Sequence, residues 1–208
     1  MYKEIRSRYA DARIVVWGRS IGTVAASYLA EKHGLPCILQ SPMASAFNVV
    51  CDPPRCTCMD RLNNARRVPK LTSDVLIIHG ERDTVVDYHN ALLLVSAATG
   101  LGIDEILSKL ENAHADSGKA EKSDSAAVIH VGRLTFCSLP LADHNDIEMS
   151  FLEAQTACVA PLLSPEYSAD EVRTRAELLE SEIEKALAAK LEVQRAATQG
   201  ATRETCVL

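Results

Sequence analysis

Gly18, Ser20 and Gly22 stand in the order G-x-S-x-G inside the run VVWGRSIGT, residues 15–23. A serine hydroxyl is a poor nucleophile at neutral pH. It needs a base to take its proton, a group to orient that base, and donors that stabilise an oxyanion. In a nucleophile elbow the serine sits on a strained strand-to-helix turn, with glycines on both sides leaving room for the turn and a helix N-terminus facing the developing charge. Two partner residues follow in the chain order such a centre uses, acid and then base. Asp83 lies in GERDTVV (80–86), with Glu81 as the competing acid, and His144 lies in LADHNDIEM (141–149). The other histidines are weaker candidates. His79 ends a strand-like run and reads as structural, His33 and His89 fall on predicted helices, His114 lies in a polar insertion, and His130 precedes a strand. Asp143, Asn145 and Asp146 beside His144 read as turn or cap residues, with Asp146 near a helix start.

These residues have to be held by a scaffold, and the hydrophobic pattern predicts one. RIVVWG (13–18), PCILQS (36–41), DVLIIHG (74–80) and GRLTFCSL (132–139) are short apolar runs bounded by turn residues, as buried parallel strands are. IGTVAASYLAEKHG (21–34), VVDYHNALLLVSAATG (85–100) and NDIEMSFLEAQTACVA (145–160) read as helices. Strands alternating with helices predict the α/β class, a parallel sheet with helices on its faces. Ser20, Asp83 and His144 each follow the carboxyl end of a different predicted strand, where functional groups gather in open parallel sheets.

Composition narrows the function classes. The 208 residues suffice for one sizeable domain with an appendage, 47% of them are hydrophobic, and the net charge of −6 argues against nucleic acid as a partner. No run approaches the length of a transmembrane helix, and the charged start MYKEIRSRYADAR does not read as a signal peptide. The seven cysteines are odd in number and read as reduced thiols of a cytoplasmic protein. Cys51, Cys56 and Cys58 form C-x4-C-x-C without a nearby fourth ligand, so a structural loop is preferred over a metal site. Only two residues follow Cys206, where a prenylation box needs three. No metal or cofactor is expected.

Two stretches stand apart from the α/β pattern. Residues 112–127 are small, polar and charged, and are expected to form a flexible insertion. Residues 168–198 read as one long amphipathic helix, opened by a capping box at Ser168 and Glu171 and striped by Val172, Ala176, Leu179, Ile183, Leu187 and Leu191. Two uses of that helix stay open: docking on the domain or lying solvated at its edge, and self-association as a short coiled coil. The domain boundary is expected near residue 160, with a linker and the helix over 161–208.

GRSIGTVAASYLA, ILQSPMASAFNVV, LTSDVLIIHGERDTVVDYHNAL and ADHNDIEM together resemble the α/β-hydrolase domain-containing protein 17 family, over about residues 10–100 and 130–155. The resemblance implies an α/β-hydrolase fold and a serine hydrolase that removes palmitoyl groups from cysteines of membrane-associated proteins. Related chains resemble prolyl-oligopeptidase-like serine peptidases, so a peptidase or lipase on the same fold remains an alternative, as does an inactive hydrolase-like domain acting through partner binding. Carried over, the nucleophile falls on Ser20, the acid on Asp83 and the base on His144, with the Ile21 backbone N–H as one oxyanion donor. The implied substrate is an acylated protein or a lipid-like ester.

Three departures from the family pattern stand out. Asp143 replaces a glycine before the histidine. The 112–127 stretch and the C-terminal helix are extra. The strands and the second oxyanion loop that precede the elbow in the family, and an N-terminal lipidated cysteine cluster, have no counterpart before RIVVWG. The first strand is therefore expected to lack a neighbour on one side, and the chain to be a fragment of a longer hydrolase or a short form without its first segment. Peripheral membrane association belongs to a full-length form.

Overall fold

In the computed structural model the residues described are 2–46, 49, 62–116, 126–147 and 152–163. The expected strands form at β1 (Val16–Arg19), β2 (Cys37–Gln40), β3 (Val75–Gly80) and β5 (Leu134–Leu139), joined by an additional β4 (Ala127–Val131). The helices are α1 (Tyr2–Arg8), α2 (Gly22–His33), α3 (His89–Thr99), α4 (Ile103–Asp116) and α5 (Leu152–Leu163). The sheet order is β1-β2-β3-β5-β4. β1, β2, β3 and β5 run parallel, with Gly18 opposite Leu39, Leu39 opposite Ile77, and Ile77 opposite Phe136. β4 pairs antiparallel with β5 through the tight turn at Gly132 and Arg133.

The central strands are continuous apolar runs because both of their faces are covered. Leu39, Ile77 and Phe136 point into a core that also contains Ala26, Ala30, Leu92, Leu94, Val95, Ile106 and Leu110 from α2, α3 and α4. Their neighbours Ile38, Leu76, Ile78 and Cys137 point to the other face, against Ile147 and against Cys158, Val159 and Leu162 of α5. Each fully buried large side chain contributes about 1.5–3 kcal/mol. This two-sided burial fixes strand register, since a one-residue slip would exchange the faces.

Several boundaries differ from the sequence expectation. The polar stretch starting at 112 continues α4 as far as Asp116, because Ile106 and Leu110 bury one face of a helix whose other faces are free to be polar. At the far end of the same stretch, Ala127 is fully buried in β4. Residues 117–125 lie outside the described residues. α5 runs to Leu163, past the expected boundary at 160, and the chain divides after Glu166. The proposed long helix 168–198 and the Cys51-Cys56-Cys58 run also lie outside the described residues.

β1 is an edge strand and, among the described residues, pairs only with β2. Trp17 on that strand is half-exposed, and its indole N–H donates to Gln40 Oε1 at 3.1 Å.

Candidate active site

The loops after β1, β3 and β5 leave the same edge of the parallel sheet, and each carries one of the three residues singled out above. Ser20 adopts φ of 51°, in the left-handed region that an L-residue other than glycine enters at a cost of about 1–2 kcal/mol. The surroundings hold it there. The Ser20 N–H donates to the Gln40 carbonyl at 2.9 Å, extending the β1–β2 ladder, and the Ser20 carbonyl accepts from the Thr23 N–H at 3.0 Å and the Thr23 hydroxyl at 2.6 Å. α2 then starts at Gly22, with Ile21 as its cap residue, and the Ile21 N–H makes no hydrogen bond among the described residues.

The two elbow glycines differ in what they do. A Cβ on Gly18 would run into the Gly22 carbonyl and come within 2.8 Å of Ala26 Cβ, so the first turn of α2 packs directly on the strand there. A Cβ on Gly22 would meet open space. Gly18 is thus required by close packing, and nothing in φ or space demands glycine at 22.

Beneath the elbow lies a buried polar hub at Asn64. Its Nδ2 donates to Thr23 Oγ1 at 3.0 Å and to the Met43 carbonyl at 2.9 Å, while its Oδ1 accepts from Ser27 Oγ at 2.7 Å. The Thr23 hydroxyl therefore accepts from Asn64 and donates to Ser20, linking the core to the backbone of the strained turn.

Asp83 and His144 meet directly. His144 Nδ1 lies 2.7 Å from Asp83 Oδ2, with both side chains buried. The other carboxylate oxygen accepts from the Val85 N–H at 2.9 Å and the Val86 N–H at 2.7 Å. Burial alone would push the Asp83 carboxyl up. The hydrogen bonds from His79, the Val86 N–H, His144 and the Val85 N–H outweigh it and hold the group well below the usual carboxylate range. An ionised carboxylate makes Nδ1 of His144 the protonated nitrogen, which leaves Nε2 as the lone-pair nitrogen.

Glu81, the competing acid, faces elsewhere. Its Oε1 accepts from Ser138 Oγ at 2.6 Å, and Ser138 in turn accepts from the Tyr88 hydroxyl at 2.7 Å. Ser20 is not hydrogen-bonded to His144 among the described residues. The structure instead joins the two loops through Arg19, whose guanidinium reaches the His144 carbonyl and Asn145 Oδ1.

The neighbours of His144 do more than cap a turn. Asp143 accepts from the Thr84 N–H at 2.9 Å and from the His144 N–H at 2.6 Å. Its backbone is not left-handed, so an aspartate before His144 needs no strained φ. Asp146 Oδ1 accepts from the Asp143 N–H at 2.7 Å and closes the turn.

Four contributors to this arrangement were not singled out for it by sequence reasoning. Arg19 sat inside the motif as an unspecified position. His79, expected to be structural, is buried with Nε2 at 2.8 Å from the Val86 carbonyl and 3.3 Å from Asp83 Oδ2. Its place four residues before Asp83 was the available signal. At Gly80 a Cβ would overlap the Ala142 carbonyl, so the His144 loop lies against the end of β3. Asn64 carried no signal at all.

The chain is 37% identical over 94 residues to α/β hydrolase domain-containing protein 17B of Homo sapiens, covering 43% of this chain and 33% of that protein. It is 35% identical over 97 residues to α/β hydrolase domain-containing protein 17C of Mus musculus, covering 45% and 30%. The backbone superposes on the meta-cleavage product hydrolase CumD of Pseudomonas fluorescens IP01 with a TM-score of 0.51 at 12% identity, over 80% of this chain and 70% of that one. The fold is that of an α/β hydrolase. The acylaminoacyl peptidase of Pyrococcus horikoshii shares this hydrolase fold with a TM-score of 0.50 at 9% identity, over 82% of this chain and 28% of that one. No protein-family model matches. The chain spans about a third of the length of the curated relatives it matches.

Proposed function

We propose that the chain carries a serine-hydrolase centre for acyl transfer, with Ser20 as nucleophile, His144 as base and Asp83 as the group that orients the base. The observation that carries this reading is the buried 2.7 Å contact between His144 Nδ1 and Asp83 Oδ2, at the sheet edge where Ser20 occupies a left-handed turn. Asp83 holds the imidazole with Nε2 free to take a proton and stabilises the imidazolium that forms. Ser20 loses its proton to Nε2 and attacks the acyl carbonyl. The tetrahedral oxyanion is met by the Ile21 N–H at the start of α2. Collapse expels the leaving thiol or alcohol, which takes the proton from His144. Water then repeats the sequence on the acyl-enzyme and releases the acid.

For the substrate we propose an acyl thioester or ester, with protein-bound palmitate as the class the family resemblance implies. Ile21, next to Ser20, and Val85, two residues after Asp83, are 64% and 55% exposed, apolar side chains available for an acyl group to cover.

The test is covalent labelling by an alkyl fluorophosphonate. Labelling of the wild-type chain that disappears in Ser20→Ala and falls steeply in His144→Ala supports the centre. An unlabelled wild-type chain that retains its fold speaks for an inactive, partner-binding domain. Turnover of a palmitoyl thioester set against peptide amides decides the substrate class.

A further inference from the structure

The strand order sets a reach problem. His144 follows β5 and Ser20 follows β1, and β2 and β3 lie between them. Three strand spacings amount to about 14 Å. A base loop that merely left β5 and turned into a helix would stay over its own side of the sheet. Something has to hold it across the intervening strand ends.

Two contacts grip that loop from opposite sides. On the side of the acid, Asp143 is anchored to Thr84, the residue after Asp83: the Thr84 N–H donates to Asp143 Oδ1 at 2.9 Å and the Thr84 hydroxyl at 3.2 Å. On the side of the nucleophile, Arg19 extends from the last position of β1. Its Nη2 donates to the His144 carbonyl at 2.6 Å and to Asn145 Oδ1 at 2.7 Å, one hydrogen to each. The acceptors are the peptide group of the base itself and the next side chain. The donor is the residue covalently joined to Ser20. Charge-assisted bonds of this length are about twice as strong as neutral ones.

We propose that Arg19 is a positioning residue that sets the separation of the Ser20 hydroxyl and the His144 imidazole, with Asp143 holding the opposite flank of the base loop. The proposal rests on the reading of Ser20, His144 and Asp83 given above. Arg19 acts through the loop, since its guanidinium bonds to the His144 carbonyl and to Asn145 Oδ1 and not to the imidazole. A guanidinium NH2 group suits this role because it offers two hydrogens in a fixed plane to two acceptors, whereas a lysine ammonium on a shorter, freely rotating stem holds them less rigidly. Arg19 is exposed on its outer side, so its removal is not a core mutation.

The test has two readouts on the full chain. The first is the second-order rate of fluorophosphonate labelling. A displacement of the base by about 1 Å costs about 100-fold in rate, and Arg19→Ala is expected to label about 10- to 100-fold more slowly, with Arg19→Lys in between. Ethylguanidinium added to Arg19→Ala restores part of the rate, and Arg19→Ala combined with Asn145→Ala is no slower than Arg19→Ala alone. The second readout is amide hydrogen exchange. Arg19→Ala speeds exchange at residues 143–147 while the strands β2, β3 and β5 keep wild-type protection. Exchange tests the grip whether or not Ser20 proves reactive. If the wild type labels poorly, the serine-hydrolase reading fails and exchange alone judges Arg19. Wild-type exchange at 143–147 in Arg19→Ala overturns the proposal. So does a rate loss that ethylguanidinium leaves untouched and that comes with faster exchange throughout the sheet.

Discussion

Nδ1 of His144 lies 2.7 Å from Oδ2 of Asp83, a contact between residues 61 apart in sequence, with the carboxylate fully shielded from solvent. The loops after β3 and β5 are adjacent because those strands pair in register, with Gly80 opposite Leu139. At Gly80 the backbone of the His144 loop comes down onto the end of β3, and the Arg82 N–H donates to the Ala142 carbonyl at 3.0 Å.

Asp83→Asn keeps the shape of this contact but offers an amide where a carboxylate stabilised the N–H tautomer. The labelling rate at Ser20, and turnover of an acyl thioester, should fall by up to about 10⁴-fold, the scale seen for this change in serine proteases. Chromatographic mobility and far-UV circular dichroism should stay unchanged. A near-wild-type rate would remove Asp83 from the centre.

Glu81→Gln separates the two acids of the loop. Glu81 accepts from Ser138 and, among the described residues, is not hydrogen-bonded to His144. The variant should label at Ser20 within about threefold of wild type, a change of less than about 1 kcal/mol in the barrier. A loss matching that of Asp83→Asn would reverse the assignment of the acid.

The same carboxylate carries a pH signature in stability. Its pKa in the folded chain lies well below the ordinary value near 3.9. Its contribution is therefore complete above about pH 4 and is lost as pH falls from there toward the folded-state pKa. Urea midpoints measured between pH 5 and pH 2 should drop more steeply for wild type than for Asp83→Asn. Parallel curves would show that Asp83 is not held ionised by its surroundings.

Gly80→Ala places a methyl group where the Ala142 carbonyl sits. Backbone must shift to admit it, and overpacking of this kind costs about 1–3 kcal/mol. Because the displaced segment carries His144, labelling of Ser20 should slow more than the stability loss alone accounts for. Chemical denaturation and labelling on one preparation would check both parts.

Asn64→Ala leaves the Thr23 and Ser27 hydroxyls and the Met43 carbonyl short of a partner in a buried setting. A destabilisation of about 3 kcal/mol is expected, with the largest loss of hydrogen-exchange protection at the start of α2. An effect below about 1 kcal/mol would mean that water or rearrangement replaces the hub.

Much of this fold was legible from local pattern. Each apolar run bounded by Gly, Pro or Asp became a strand of the sheet, because such residues have to be covered on both faces, as Ile77 and Ile78 are. The elbow was legible because close packing of a helix on a strand end demands Gly18. The order of Ser20, Asp83 and His144 could be read because each sits just beyond a strand that had already been identified. Neither α4 nor β4 was legible. α4 buries only one face, at Ile106 and Leu110, and runs on into the polar stretch from 112, while the short apolar run AVIHV (127–131) begins where that stretch ends. Burial is a property of neighbours that the local sequence does not contain.

What the sequence by itself determined is the class of the fold, the set of three candidate residues and the resemblance to a hydrolase family, since these rest on residue types and their spacing along the chain. Only the tertiary structure showed that Asp83 lies against His144 while Glu81 bonds to Ser138, assigned the need for glycine to position 18 and not to 22, and drew Arg19 and Asp143 to the His144 loop. The physical reason is range. Propensity and periodicity act over a few residues, whereas the hydrogen bonds from Arg19 to the His144 loop and from His144 to Asp83 join groups 125 and 61 residues apart. Those pairs exist only after the strands have taken their order in the sheet.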